Sequence, residues 1–104
     1  VTSAYARIRR QFGLPIGRME GIEEPLARIV EAAYSNEAAR GVTASMVSCG
    51  EKPSVISALM KYQTTERLRR AVNDAMDIHG GRAICDGPSN YLQSAYEMAP
   101  VGIT

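Results

Sequence analysis

The side chains able to do chemistry in these 104 residues are few and scattered. Arginines gather twice, at Arg7, Arg9 and Arg10 and again at Arg67, Arg69 and Arg70. A guanidinium is a planar fork of donors that suits carboxylate and phosphate oxygens. By residue type alone, either cluster could hold an anion or simply face solvent. His79, the one histidine, stands directly before Gly80-Gly81. Imidazole titrates near neutrality, but at the end of a helix His79 reads as a cap or a partner of the helix dipole rather than as a general base. Cys49 and Cys85 form no Cys-x-x-Cys pair, and with a single histidine they cannot supply the four ligands of a structural zinc site. No metal site is expected. Ser45, Ser48 and Cys49 lack the glycine-framed turn of a nucleophile elbow.

Charge narrows the partners. Lys and Arg total 12 against 11 Asp and Glu, a formal charge of +1. Affinity for nucleic acid comes largely from phosphate neutralisation and calls for a basic surplus, so nucleic-acid binding is not expected. No stretch approaches the ~20 apolar residues of a membrane span. The opening Val-Thr-Ser-Ala-Tyr-Ala-Arg shows neither an initiator Met nor an apolar signal core, and reads as a chain cut from a longer one. Two thiols without a secretory signal suggest a reducing, cytoplasmic setting.

The elements that would position these residues are helical. Val1 to about Gln11 reads as the tail of a helix, broken by Phe12-Gly13-Leu14-Pro15-Ile16-Gly17. From Ile22 to Cys49, Ile22, Leu26, Ile29, Val30 and Ala33 recur at three- and four-residue steps and mark one apolar face. Pro25 is tolerable if it falls within the first turn, Gly41 is expected at a kink or close helix contact, and Gly50 at a C-terminal cap. A third helix follows Lys52-Pro53-Ser54 with Pro53 in its first turn, carries Ile56, Met60, Leu68, Ala71, Val72, Ala75 and Met76 on its apolar face, and stops at His79 before Gly80-Gly81. A shorter helix is expected from about Pro88 to Met98. No segment combines two-residue alternation with β-branched residues, so no sheet is expected. Two helices of about 25 residues, each some 35–40 Å long, joined by a short loop, should fold back antiparallel. The flanking helices then complete an all-α, up-and-down four-helix bundle over residues 1–104, at least two-thirds helical.

Two motifs carry the reading beyond a helical bundle. Tyr5-Ala6-Arg7-Ile8-Arg9-Arg10-Gln11-Phe12-Gly13-Leu14-Pro15-Ile16 resembles the Tyr-Ala-x-x-Arg-x-Gln-Phe-Gly-x-Pro-Ile signature that opens the C-terminal helical domain of acyl-CoA dehydrogenases. Asp77-Ile78-His79-Gly80-Gly81 is similar to that family's Gln-Ile-x-Gly-Gly segment. Between them, Met19-Glu20-Gly21-Ile22 through Leu26-Ala27 resembles Phe-Gln-Gly-Ile…Leu-Ala. The resemblance covers essentially the whole chain. The stretch from Asp86-Gly87-Pro88-Ser89-Asn90-Tyr91 to Pro100-Val101-Gly102-Ile103-Thr104 looks most like the bacterial long-chain fatty acyl-CoA dehydrogenases of β-oxidation.

The resemblance implies one domain of a larger, multidomain flavoenzyme that oxidises a fatty acyl-CoA to the trans-2-enoyl-CoA. It implies FAD as cofactor, an electron-transfer partner and a homo-oligomer. The family's catalytic glutamate is expected beyond Thr104, so no catalytic residue is assigned here, and the isolated fragment should be inactive. Glu97, in its Tyr-Glu-Met-Ala context, does not match. The cofactor-binding residues carried over are Arg9 and Gln11, Phe12, Asp77, and Gly80 with Gly81. Arg9 would face the FAD pyrophosphate of a neighbouring subunit, and Gln11 would hydrogen-bond to the cofactor. Phe12 would pack against the cofactor, or else plug the core at the turn. Gly80 and Gly81 would let the backbone approach FAD, or serve as a plain helix stop. Asp77 and Glu20 stand where the family has Gln, and Ala83 where it has Gly. A carboxylate near a pyrophosphate is repulsive unless a cation intervenes. The alternative reading is a stand-alone helical-bundle interaction module whose arginines bind an acidic partner.

Overall fold

Glycine and proline decide where this chain bends. In the computed structural model, which describes residues 1–103, helix α1 spans Thr2–Ile8 and ends three residues earlier than its polar composition suggests. Strand β1, Arg10–Gln11, then pairs antiparallel with β2, Leu14–Pro15, in the register Arg10↔Pro15 and Gln11↔Leu14. The two-residue loop between them has positive φ at both Phe12 (52°) and Gly13 (78°), the requirement of a type I′ hairpin turn. This two-stranded ladder departs from the expected absence of a sheet. Its cause is turn geometry: neither strand shows a propensity pattern that sequence reading detects. Arg10 secures the turn by donating from Nη2 to the Gly13 carbonyl at 2.8 Å.

After a 3-10 turn at Ile16–Arg18, α2 runs over Glu20–Ser48 and α3 over Ser54–His79. Because α2 begins at Glu20, Pro25 falls in its second turn rather than its first, and the Gly21 carbonyl lacks the amide partner that position would normally supply. Gly41 marks no close approach, since a Cβ built there meets nothing within 4 Å, and the helix runs through it unbroken. Gly50 does terminate α2. With φ +84°, it donates to Val47 O, while Glu51 N reaches Met46 O at 3.1 Å, the paired bonds of a Schellman cap. Pro53 sits just outside α3, at the position preceding its first turn. Beyond α3 come a 3-10 turn at Gly80–Ile84, helix α4 at Leu92–Met98, which starts later than expected, and a last 3-10 turn at Ala99–Gly102. α-Helices and 3-10 turns together account for 79% of the described residues. The all-α reading holds.

α2 and α3 form a long antiparallel hairpin, tied across by Arg28. Its Nη2 and Nε donate to the two carboxylate oxygens of Asp74 at 2.8 and 3.0 Å. Arg67 Nη1 donates across to Glu31 Oε1, and the Ser35 hydroxyl, together with Arg67, holds the Glu31 carboxyl below its ordinary range. Both short helices pack beside the C-terminal half of α3. α1 sits against its end, with Ala6, Ile16 and Ile78 as a small buried cluster flanked by Tyr5, Met19 and Ile22. α4 and the last turn lie against Thr65, Arg69 and Val72. Val72 and Ala75 are buried as expected, but Leu68 is half exposed. The far half of the hairpin has no cover. Tyr34, Val42, Val55, Leu59 and Tyr62 stand 57–79% exposed there. The result is elongated, 55 × 26 × 20 Å with a radius of gyration of 16.3 Å, against about 13 Å for an ordinary domain of this length.

Candidate functional site

The two motifs meet. α1 packs against the end of α3, and a groove of about 570 Å³ opens between them. Arg9 and Gln11 line one side of it, and Asp77, Gly80 and Gly81 line the other. More than sixty residues of chain separate these two sets of residues.

The local structure explains how each is held. Arg9 is the C-cap of α1, with its amide donating to Tyr5 O at 2.8 Å and its carbonyl accepting from Ile16 N at 2.8 Å. Its backbone is therefore locked on both sides while its half-buried side chain stays free of any intrachain partner among the described residues. The structure separates the three clustered arginines: Arg7 is exposed outside the groove, Arg10 serves the hairpin, and Arg9 turns inward. Gln11 follows on β1. Gly80 has φ +63°, a conformation that favours glycine. Cβ atoms built at Gly80 and Gly81 would project into open space, with nothing of the chain within 4 Å. The bare backbone is thus presented to the groove, as a closely approaching ligand would need.

Phe12 is not in the groove. It sits at the hairpin tip, 95% exposed, so it does not plug the core. An aromatic ring in solvent and a non-glycine residue at φ 52° are both unfavourable locally, and strained positions of this kind gather at binding sites.

Several lining residues were not assigned to the site from sequence. Tyr5 stacks on His79, with ring centroids 4.0 Å apart and planes 18° from parallel. This stack ties α1 to the end of α3. His79 Nε2 is closed off from solvent without a hydrogen-bond partner among the described residues. Burial lowers the His79 pKa, which favours the neutral ring. His79 thus packs rather than caps the helix end. Its neutral form gains nothing from the helix dipole. Arg82 and Cys85 enter the groove from the turn after the glycines. The adjacency of Arg82 to Gly80-Gly81 is the one signal that could have found it. Arg9 and Arg82 outnumber the Asp77 carboxylate, and none of the three has an ion pair among the described residues. The groove is a net cationic cleft with glycine backbone on one wall, a form suited to a phosphate-bearing ligand. Glu97 lies away from it, accepting from Gln93 Nε2 at 3.2 Å on α4.

Residues 1–102 match the family described as acyl-CoA dehydrogenase, C-terminal domain. The chain belongs to the acyl-CoA dehydrogenase family. Among curated proteins, a 3-(aryl)acrylate reductase of Clostridium sporogenes is 34% identical over 77 residues, 74% of this chain and 20% of its own. The acyl-CoA dehydrogenase IpdE2 of Mycolicibacterium smegmatis is 33% identical over 84 residues, 81% of this chain and 25% of its own. An acryloyl-CoA reductase (NADH) of Anaerotignum propionicum is 31% identical over 77 residues, again 74% of this chain and 20% of its own. This acyl-CoA dehydrogenase domain therefore spans a fifth to a quarter of the length of these relatives. No solved structure matches it at a significant level. Among the described residues, no helix is long and apolar enough to cross a membrane, and no group of His, Cys, Asp and Glu could hold a metal ion.

Proposed function

We propose that this chain is the C-terminal domain of an FAD-dependent acyl-CoA dehydrogenase that oxidises a fatty acyl-CoA to the trans-2-enoyl-CoA in β-oxidation. The observation that carries the proposal is the convergence of Arg9, Gln11, Asp77, Gly80 and Gly81 on one cationic groove. The residues fit the cofactor. An unpartnered guanidinium and two glycines without steric cover suit a pyrophosphate, and Arg82 is the cation that offsets Asp77. Arg9, Gln11 and the Gly80-Gly81 backbone would hold the pyrophosphate, and Phe12, projecting beyond the groove, would pack on the cofactor or on the subunit that carries it. When bound, FAD supplies the acceptor for the hydride leaving the substrate β-carbon. This chain contributes binding and orientation. The proton-abstracting glutamate belongs to sequence beyond Thr104, and the isolated domain should be inactive.

The proposal includes a homo-oligomer. The uncovered apolar side chains on the far half of the hairpin and the elongated shape support it, since monomeric proteins rarely expose such patches. It also includes an electron-transfer partner. A cytoplasmic setting is favoured by the two exposed, unpaired thiols. A second reading keeps the fold and groove but runs the chemistry the other way, reducing a 2-enoyl double bond. Two of the three relatives above are named as reductases, which favours it. The test is the intact protein carrying this domain, assayed with palmitoyl-CoA and a dye acceptor, and in parallel with a 2-enoyl-CoA and NADH. Flavin that copurifies and dye-coupled oxidation support the proposal. Turnover only in the reductive assay moves the function to the second reading, and absence of flavin refutes both.

A further inference from the structure

The turn that opens with the two glycines is held from outside by two side chains: Cys85 Sγ donates to Gly81 O at 3.4 Å, and the Asn90 amide takes up the carbonyls at its far end. Gly80 and Gly81 carry no side chain to lock the 3-10 turn Gly80–Ile84, yet that turn delivers Arg82 and Cys85 to the groove. Its last carbonyls converge on the Asn90 amide: Nδ2 donates to Cys85 O at 2.6 Å and to Ala83 O at 2.8 Å, with Arg82 O at 3.3 Å sharing the same donors. On the other side, Asn90 Oδ1 accepts from the Leu92 amide, the first of α4, at 3.1 Å. The orientation of the amide is unambiguous, because reversing it would set the oxygen against three carbonyls. Asn90 thus fastens the glycine turn to α4, and α4 is itself packed on α3 near Arg69 and Val72.

We infer that Asn90 is a positioning residue for the groove: its amide holds the Gly80–Ile84 turn in the conformation that presents the glycine backbone and Arg82 to an anionic ligand. This inference rests on the reading that the groove takes the FAD pyrophosphate. The plain alternative, that Asn90 only caps α4, makes a different prediction, because Asp caps helices as well as Asn does.

Asn90→Asp separates the two. It keeps the oxygen that receives the Leu92 amide but replaces the donor to the three carbonyls with a second acceptor. Those carbonyls destabilise a carboxylate and raise its pKa, so acidification restores one O–H donor. The probe is FAD titrated into the deflavinated intact protein and read by flavin fluorescence at pH 8 and pH 5.5. Wild type, Asn90→Asp, Asn90→Ala and Asn90→Ser are compared, and retained helicity and melting temperature confirm folding. His79, Arg82, Cys85 and Asp86 also face Asn90 across the neighbouring cleft, so each variant is referred to wild type at the same pH to remove their titration. Asn90→Asp should bind FAD about ten- to a hundredfold more weakly at pH 8 and recover to within about fivefold at pH 5.5, since each lost bond to a carbonyl weakens the held conformation. Asn90→Ala should stay weak at both pH values, and Asn90→Ser, with one donor and one acceptor, should fall between. Wild-type affinity in Asn90→Asp at pH 8 overturns the inference, as does an equal loss in Asp and Ala that acid does not relieve. Arg9→Ala and Arg82→Ala are run alongside. If both bind FAD normally, the groove itself has been misread; if they weaken and Asn90→Asp does not, only the role of Asn90 falls.

Discussion

Replacing Arg9 by Ala isolates the residue on which the groove assignment leans hardest. Its side chain has no intrachain partner among the described residues, so the substitution breaks no bond within the domain and folding should be little affected. Its backbone is fixed by hydrogen bonds to Tyr5 and from Ile16, so its Cα is held at the edge of the groove. A charge-assisted contact to a phosphate oxygen is worth roughly 1.5–3 kcal/mol. At about 1.36 kcal/mol per decade, that is a loss of about 13- to 160-fold in FAD affinity. Arg9→Lys keeps the charge and loses the fork, so it should recover only part of this. Arg7→Ala is the control: equally basic and two residues away, but exposed and outside the groove, it should change affinity less than threefold by the same reasoning about surface charges. Added salt should weaken the wild type only modestly, because a contact shielded within the assembly is screened less than a surface pair. The assay is the flavin-to-protein ratio of the intact protein after dialysis, followed by FAD titration. Equal retention by wild type and Arg9→Ala refutes the reasoning and returns Arg9 to the status of a surface residue.

Three further outcomes follow from the geometry. Phe12→Gly should leave the melting temperature unchanged or higher, because it relieves a left-handed residue that buries no surface, yet it should weaken FAD retention; a drop in melting temperature with unchanged flavin content would reverse the reading of Phe12. Gly17→Ala places a Cβ 3.2 Å from Ala6 O and 3.4 Å from Ala6 Cβ in the buried cluster, so it should destabilise by about 1–3 kcal/mol through overpacking, which thermal denaturation will show. His79 has a pKa lowered by burial, so the unfolded chain binds the proton more readily. Stability should be intact above its ordinary value of about 6.5 and decline as pH falls below it. His79→Phe keeps a ring against Tyr5 and should flatten that decline in melting curves between pH 7 and pH 5. The lowered carboxyls of Glu31 and Glu37 act only in a more acidic window.

Much of this was legible in the residues, and the exceptions have physical causes. Period-3.6 apolar patterning in α2 and α3 depends on local spacing alone, so both long helices and their glycine stops could be read directly. The β1–β2 hairpin could not, because it rests on two positive φ angles, one of them at a phenylalanine that ordinarily avoids them. The exposure of Phe12 and Leu68 was hidden for a related reason. Composition marks them as core residues, but which face is covered depends on where α1 and α4 dock, and these two seven-residue helices cover only one end of the hairpin.

The same division runs through the candidate site. Residue type and order alone determined that the chain is helical, where its long helices stop, and which family signatures it carries at Tyr5–Ile16 and Asp77–Gly81. Those properties are written in adjacent residues, and no distant contact is needed to express them. Only the tertiary structure decided that Arg9 and Gln11 meet Gly80 and Gly81 at one groove, that Tyr5 stacks on His79, that Arg82 joins Arg9 and Asp77 there, and that Asn90 ties down the glycine turn. Each of these is a meeting of groups far apart in the chain or a choice among equivalent neighbours. Sequence periodicity carries no information on such meetings, because they are set by how α1 and α4 pack against the end of α3.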